Sequence, residues 1–148
     1  MINLILVLAA FLFIEFVAWF SHKYVMHGFL WSIHKDHHIK KGQNNSFFER
    51  NDLFFLIYAI PAMILIILGF VFSYHHLIAV GAGITLYGIT YFSLHDVMIH
   101  HRLPVNLNFR KGYFAAMIKA HQAHHSGKNI KDFKNYGLLI FPGRFYNK

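Results

Sequence analysis

The sequence contains no cysteine, which excludes disulfides, thiolate zinc sites and cysteine-ligated iron–sulfur clusters within the chain. It also contains few charges. Charged residues make up 14% of the 148 residues and hydrophobic residues 56%, whereas an ordinary soluble domain has roughly 25% charged residues. No G-x-G-x-x-G motif is present, so the chain shows no flavin or nicotinamide site of its own. The composition favours a membrane protein, with residues 1–148 as a single domain.

Three apolar stretches are long enough to cross a membrane. Residues 1–20, 53–72 and 77–94 predict spanning helices, with a turn at 73–76 between the second and the third. Residues 112–125 predict a helix too short to span, which we place at the membrane surface. The tail from 126 to 148 alternates lysines with aromatic residues and is expected to lie in the interface. The fold class is therefore all-α: an integral membrane protein with about three spanning helices plus short surface helices.

The basic residues are distributed asymmetrically along the chain. All 14 Lys and Arg fall in 21–52 or 95–148, and none lies in 1–20 or 73–76. Basic residues concentrate on the cytoplasmic side of membrane proteins, so this pattern predicts that residues 21–52 and 95–148 lie on the cytoplasmic side. The net charge of +8 is explained by this topology and by attraction to anionic membrane lipid. We therefore expect no nucleic-acid partner.

Ten of the 13 histidines form two copies of one pattern, HxxxxH followed by HxxHH. An HxxHH triplet on a helix places its three imidazoles on one face, and imidazole is the commonest neutral nitrogen ligand of transition metals. Ten imidazoles suffice for two metal ions with about five ligands each. The candidate metal ligands are His22, His27, His34, His37, His38, His95, His100, His121, His124 and His125.

The HxxxxH spacing leaves two interpretations open. Residues i and i+5 do not share a face of an ideal α-helix, so either Gly28 breaks the helix after His27 or the two histidines serve different metals. His75 and His76 belong to neither repeat, and we place them in the interfacial turn.

Three acidic residues are candidates for supporting the ligands. Asp36 and Asp96 each adjoin a histidine cluster, where a carboxylate can orient the far N–H of a ligand; ordinary solvated carboxylates are the alternative. Glu15 interrupts the first apolar stretch. An ionisable residue in a membrane helix is a functional candidate by default, although a position near the interface would also explain it.

Four stretches carry a family resemblance: HKYVMHGFLWSIHKDHH (22–38), SFFERNDL (46–53), SLHDVMIHHR (93–102) and RKGYFAAMIKAHQAHH (110–125). Together they resemble the bacterial β-carotene hydroxylases, which belong to the fatty acid hydroxylase and sterol desaturase superfamily. The resemblance extends from about Glu15 to Gly137. His101 departs from the family pattern and is interpreted as a bystander.

The resemblance implies a non-haem di-iron monooxygenase that hydroxylates C3 of the β-ionone rings of β-carotene, giving β-cryptoxanthin and zeaxanthin. Its implied cofactors are two iron ions, with O2 as co-substrate and no haem or bound nucleotide. Its implied partners are a carotenoid substrate, membrane lipid, and a ferredoxin with its reductase as electron donors. The ten histidines above are the implied ligands, and no catalytic residue beyond them is expected.

Two other functions remain open at this stage. The same histidine motifs occur in hydroxylases or desaturases of fatty acyl or sterol substrates. A metal transporter or storage protein would instead place ionisable ligands within the spans, and the first two spans contain no histidine.

A lipophilic substrate would reach the metals from the membrane side. Trp19, Tyr91 and Phe92 are therefore candidates for its channel, with an interfacial aromatic belt as the alternative.

Overall fold

The computed structural model describes residues 1–38, 48–105, 107, 109–127 and 133–146, and all regular structure within them is helical. Ser46 and Phe47 of the second family stretch, and residues 128–132 and 147–148 of the tail, lie outside this part of the chain. The all-α prediction is confirmed. The described residues form the α-helices α1 (Ile2–Phe20), α2 (Trp31–His34), α3 (Leu53–Val71), α4 (His75–Tyr91) and α5 (Gly112–His125).

Short helical segments of other types extend these helices. α1 continues as a π-helix over Ser21–Phe29, and α4 continues as a π-helix over Phe92–Ile99. Three of the described segments are 3₁₀-helical. One follows α2 at Lys35–His38, one precedes α3 at Arg50–Asp52, and one lies near the C-terminus at Gly143–Phe145. The two π-helices contain three of the candidate metal ligands, His22, His27 and His95.

Three of the helical stretches are long and apolar enough to cross a membrane: Ile2–Phe29, Arg50–Val71 and His75–Ile99. The predicted number of spans is therefore confirmed. The first and third stretches run past their predicted ends because α1 and α4 pass into π-helices without a break. The outward faces of α1 and α3 expose large apolar side chains, such as Leu12 and Phe70, as expected for surfaces that face lipid.

The turn between α3 and α4 is shorter than the sequence suggested. Ser73 adopts a left-handed conformation with φ 59°, and the Tyr74 N–H bonds the Gly69 carbonyl at 2.9 Å. This arrangement ends a helix within about three residues. His75 and His76 consequently form the first turn of α4, and their placement in the turn was wrong by two residues.

α4 is the central helix of the bundle and packs against both α1 and α3. Two small residues four positions apart explain this position, since Ala79 and Gly83 are both buried. A Cβ atom on Gly83 would collide with the Val7 carbonyl oxygen and lie 2.8 Å from the Cβ of Ala10, so only glycine permits the observed approach of α1. α1 and α4 run in the same direction, since Val7 lies beside Gly83 and Glu15, two turns further on, bonds Tyr87, one turn further on. Their π-helical ends therefore meet at one end of the bundle.

The described part of the tail, residues 133–146, packs back onto this same end. Phe133 and Leu138 are buried, and Leu138 belongs to a core cluster with Met98 and Met117. Glu15 of α1 holds the segment in place. Its Oε1 accepts hydrogen bonds from the N–H groups of residues 138, 139 and 140 at 2.9–3.2 Å. The tail is thus a structural element of the bundle end.

Candidate metal centre

The first HxxxxH motif lies within a π-helix, and the second begins in a π-helix at His95 and ends at His100, the residue directly after that helix. His22 and His27 fall within Ser21–Phe29, and the N–H of His100 bonds the carbonyl of His95 at 2.9 Å, five residues back. A π-helix pairs residues i and i+5, so each motif presents both of its rings on one side. The ring centroids are 5.0 Å apart for His22 and His27 and 4.6 Å apart for His95 and His100. The backbone does leave helical geometry at Gly28, directly after the second ring.

The ten histidines converge into two adjoining clusters, which we call site A and site B. Four side chains of site B have nitrogens within 4.8 Å of one another, and His95 joins them because its Nε2 lies 3.2 Å from the Nε2 of His37. The two sites touch where the rings of His38 and His125 stack with centroids 4.4 Å apart. Site A consists of His22, His27, His34, His38 and His124, and site B of His37, His95, His100, His121 and His125.

The sites do not coincide with the sequence repeats. Each repeat supplies four histidines to one site and one histidine to the other: His37 of the first repeat lies in site B, and His124 of the second lies in site A. The HxxHH triplets therefore do not each act as one face. In the triplet of α5, positions i+3 and i+4 point about 100° apart, whereas i and i+4 differ by only about 40°, so His124 points away from His121 and His125 and reaches site A. The first triplet lies at the end of α2 and in the 3₁₀ turn after it, and His37 reaches site B from that turn.

Hydrogen bonds at Nδ1 fix which nitrogen of several rings is free. The Nδ1 atoms of His22 and His34 lie 2.9 Å from the Tyr136 carbonyl oxygen and 2.6 Å from the Asn51 amide oxygen. Both oxygens only accept, so each Nδ1 donates and each Nε2 carries a lone pair. These two Nε2 atoms nevertheless face each other at 3.1 Å. Two lone pairs at that distance repel unless a cation lies between them.

Site B shows the same arrangement. The Nδ1 of His37 donates to Glu49 at 2.9 Å and the Nδ1 of His95 points to Asp96 at 3.4 Å, which leaves two bare Nε2 atoms 3.2 Å apart. Nitrogens bound at right angles about 2.1 Å from one metal ion are about 3.0 Å apart, which is close to these separations. The residues therefore fit a metal ion in each site.

A proton cannot take the place of the metal ion. Burial lowers the pKa of His34 to about 4 and the pKa of His125 to about 3. Burial, followed by the neighbouring imidazoles, lowers the pKa of His37 and of His121 well below the usual value. At neutral pH these rings are uncharged, which is the form that binds metals. The Nε2 of His125 is also buried without a hydrogen-bond partner among the described residues, as expected of a nitrogen that binds a metal ion.

An ion-pair network supports site B, and only one of its acids was expected. Arg102 binds Asp52 at 2.6 Å, Asp96 at 3.2 Å and Glu49 at 3.3 Å. Asp96 was a predicted support, whereas Glu49, Asn51 and Arg102 were missed. The SFFERNDL stretch contained two of the three, and its polar residues between a histidine cluster and a span were the available signal. Asp52 accepts from the Glu49 N–H at 3.0 Å, which fixes this turn.

The family model described as fatty acid hydroxylase matches residues 7–144. The chain belongs to the fatty acid hydroxylase family. The β-carotene hydroxylase of Pantoea ananas is 36% identical over 95% of this chain and 78% of its own length, and that of Paracoccus sp. (strain N81106 / MBIC 01143) is 34% identical over 96% and 86%. The chloroplastic β-carotene hydroxylase 1 of Capsicum annuum is 38% identical over 86% of this chain and 40% of its own length. No solved structure matches at a significant level.

The family resemblance inferred from the four stretches is confirmed. In this member of the fatty acid hydroxylase family, the two other acidic candidates make their hydrogen bonds with groups other than imidazoles. Asp36 accepts from the Arg50 N–H at 2.7 Å. Glu15 binds the tail, as described above, and accepts from the Tyr87 hydroxyl at 2.7 Å. Among the hydrogen bonds of the described residues, neither carboxylate bonds a histidine, so their contribution to the sites is indirect.

The aromatic candidates occupy three different environments in this family member. Tyr91 stacks on His95 with centroids 4.4 Å apart, directly over site B. Trp19 lines a cleft of about 660 Å³ together with Tyr136 and Phe141 of the tail. Phe92 is 41% exposed and lies on the outer surface.

One further aromatic contact was missed, because it comes from the tail. The ring of Phe133 lies 4.3 Å from His27, with centroids also close to His38 and His124, and so covers site A. The histidines outside the repeats stay outside both sites. His75 is exposed at the far end of α4, and His101 follows π-helical residues in a left-handed conformation with φ 52°.

Proposed function

We propose that this chain is a β-carotene 3-hydroxylase, which converts β-carotene through β-cryptoxanthin to zeaxanthin. The observation that carries the proposal is the pair of adjoining five-histidine sites at the end of an apolar helical bundle. The identity to named bacterial β-carotene hydroxylases over nearly the whole chain supports the substrate. Residues 1–148 act as one domain, since the two repeats complete each other's sites.

The cofactors in this proposal are two iron ions, one in each site, with the ten histidines as ligands. Bound iron supplies the redox chemistry that activates O2, which zinc lacks. The reaction balances as one C–H bond, one O2, two electrons and two protons giving one C–OH and one water. The chain carries no recognisable nucleotide or iron–sulfur site, so the electrons come from a ferredoxin and its reductase.

The protein's own residues orient the imidazoles and exclude water. Tyr136, Asn51 and Glu49 hold Nδ1 protons in place, so that Nε2 lone pairs point into the sites. Phe133 covers site A, and Tyr91 covers site B. The ring of a membrane-dissolved substrate reaches the sites along apolar surface. Trp19, Tyr91 and Phe92 are proposed to form that path.

The proposal also assigns a side of the membrane. The sites, α5 and the described tail lie at the bundle end where α1 and α4 finish, and the Lys and Arg residues of the described part of the chain belong to this end. We place this end in the cytoplasm of a bacterial inner membrane, in contact with anionic lipid.

Reporter fusions test this orientation. A fluorescent reporter that folds only in the cytoplasm should be active when fused after residue 148. A reporter that requires the periplasm should be active when inserted at the turn around Ser73, because α3 and α4 form a hairpin. A periplasmic C-terminus would contradict the assigned orientation.

Expression in a β-carotene-producing bacterial host supplied with iron tests the reaction. We expect zeaxanthin, preceded by β-cryptoxanthin at early times, and only β-carotene with an empty vector. Pigments are separated by chromatography and identified by mass. Unchanged β-carotene, with protein present in the membrane and iron bound, would contradict the proposed substrate. Hydroxylated or desaturated fatty acyl or sterol products in that case would indicate the alternative enzyme, and iron uptake without any product would indicate transport or storage.

A further inference from the structure

The two metal sites differ in the charge of the groups behind their ligands. In site B, the His37 Nδ1 proton goes to the carboxylate of Glu49 at 2.9 Å, and the His95 Nδ1 lies 3.4 Å from the carboxylate of Asp96. In site A, the corresponding acceptors are neutral: the Asn51 amide oxygen for His34 and the Tyr136 carbonyl oxygen for His22.

The arginine at site B does not cancel this difference. Arg102 contacts three carboxylates, those of Glu49, Asp52 and Asp96, so one positive charge is shared among three negative charges. Arg102 also holds Glu49 and Asp96 in the positions from which they reach His37 and His95. It is a positioning residue for both carboxylates. The surroundings of site B therefore remain anionic.

Nδ1 atoms without a hydrogen-bond partner add to the difference between site A and site B. The Nδ1 atoms of His27, His38 and His124 are buried and have no hydrogen-bond partner among the described residues. All three rings belong to site A. A carboxylate behind an imidazole makes its other nitrogen more basic, whereas an imidazole without an acceptor gains nothing. Asp36 is the one acid that acts on His34, through space, and its Oδ2 is bound to the Arg50 N–H.

We propose that the two sites bind iron unequally: site B, backed by Glu49 and Asp96, holds its ion tightly, and site A, backed by neutral acceptors, holds an ion that exchanges. A buried divalent cation is stabilised by nearby anions, and the loss of one outer partner typically costs about 10- to 100-fold in metal affinity. The inference rests on the proposed two-metal site and not on the substrate.

The test is a chelator titration of the purified protein in detergent, loaded with Fe²⁺ without oxygen, with iron per chain as the readout. We expect two iron ions to leave the wild-type protein in two steps, separated by about tenfold or more in chelator concentration. Release of both ions in a single step would overturn the inference, as would binding of a single ion.

Two substitutions that change a charge with almost no change in side-chain size show which site releases its iron in which step. Glu49→Gln removes a charge behind site B and should weaken the tight step by about 10- to 100-fold, with the weak step unchanged. Asn51→Asp adds a charge behind site A and should strengthen the weak step by about tenfold, with the tight step unchanged. Damage to the fold can only weaken binding, so the gain in Asn51→Asp decides the question even if Glu49→Gln folds poorly.

The inference is wrong if Glu49→Gln shifts the weak step or if Asn51→Asp leaves that step in place. Its failure is distinguishable from failure of the proposed reaction. If iron leaves in the two expected steps but β-carotene stays unchanged, the proposed reaction is refuted and the unequal iron affinity of the two sites is supported. A protein that makes zeaxanthin but releases both ions together would refute the asymmetry alone.

Discussion

Replacing His124 with alanine should abolish hydroxylation and reduce bound iron from about two ions to about one per chain. His124 is the one histidine of the second repeat that lies in site A, where its Nε2 lies 3.0 Å from the Nε2 of His27. Its ring is fully buried, so water has no open path by which to replace it. Activity should fall by more than about 100-fold, because the loss of an outer partner alone typically costs about 10- to 100-fold.

His37→Ala is the reciprocal variant. It should remove iron from site B and leave site A occupied, because His37 is the one residue of the first repeat that lies in site B. His75→Ala is the matched control, since His75 is exposed at the opposite end of α4. Product is measured by pigment analysis, and iron by elemental analysis of purified protein. Wild-type activity and iron content in His124→Ala would contradict its assignment as a ligand.

The bundle could be predicted from the sequence because length and apolarity alone determine whether a segment can span a membrane. The second span was placed within one residue, at Leu53–Val71. The first and third spans end later than predicted because the helices continue as π-helices beyond the apolar stretches, through polar residues such as Lys23 and Asp96. No local signal marks Ser21–Phe29 or Phe92–Ile99 as π-helical, except that HxxxxH places two rings on one side only in that geometry.

The exchange of His37 and His124 between the sites could not be predicted, because it depends on how α5 lies against α2 and the 3₁₀ turn after it. The outer partners depend on tertiary contacts in the same way. Glu49 was visible only as a charge before a span, and the Tyr136 carbonyl oxygen has no sequence signal at all. Asp96 was predicted correctly as a neighbour of site B because it directly follows His95.

Replacing Glu15 with alanine should release the tail from the bundle. The Glu15 side chain is 3% exposed and accepts four hydrogen bonds: three from the N–H groups of residues 138, 139 and 140, and one from the Tyr87 hydroxyl. Alanine would leave these buried donors without an acceptor, and each unsatisfied donor costs about 1–3 kcal/mol. Part of this cost is avoided when the segment detaches into water. The free energy holding the segment should therefore drop by on the order of 3 kcal/mol.

Limited proteolysis measures this change directly. Lys134 and Arg144 are exposed trypsin sites within the segment, but a protease needs the surrounding chain to open. Because every 1.4 kcal/mol is a factor of ten, a loss on the order of 3 kcal/mol should accelerate cleavage at Lys134 by about 100-fold. Cleavage at the wild-type rate in Glu15→Ala would show that the other contacts of the tail, its apolar packing and the hydrogen bond between His22 and the Tyr136 carbonyl, are sufficient to hold it.

Two conservative variants distinguish the loss of hydrogen bonds to Glu15 from the loss of its side-chain volume. Tyr87→Phe removes one donor and leaves the three backbone bonds, so cleavage should rise only slightly. Glu15→Gln keeps an oxygen for the backbone N–H groups, and its amide can donate to the Tyr87 oxygen; it should lie between wild type and Glu15→Ala.

Iron content connects this contact to the metal centre. The segment that Glu15 holds also carries Phe133, which covers site A, and Tyr136, whose carbonyl oxygen lies 2.9 Å from the His22 Nδ1. In Glu15→Ala, His22 loses the acceptor that fixes its Nδ1 proton, and water reaches site A. Iron should therefore fall toward one ion per chain and remain in site B, which contacts Glu49 and Asp96 instead of the tail. Faster cleavage with both ions retained would mean that the tail covers site A without orienting its ligands.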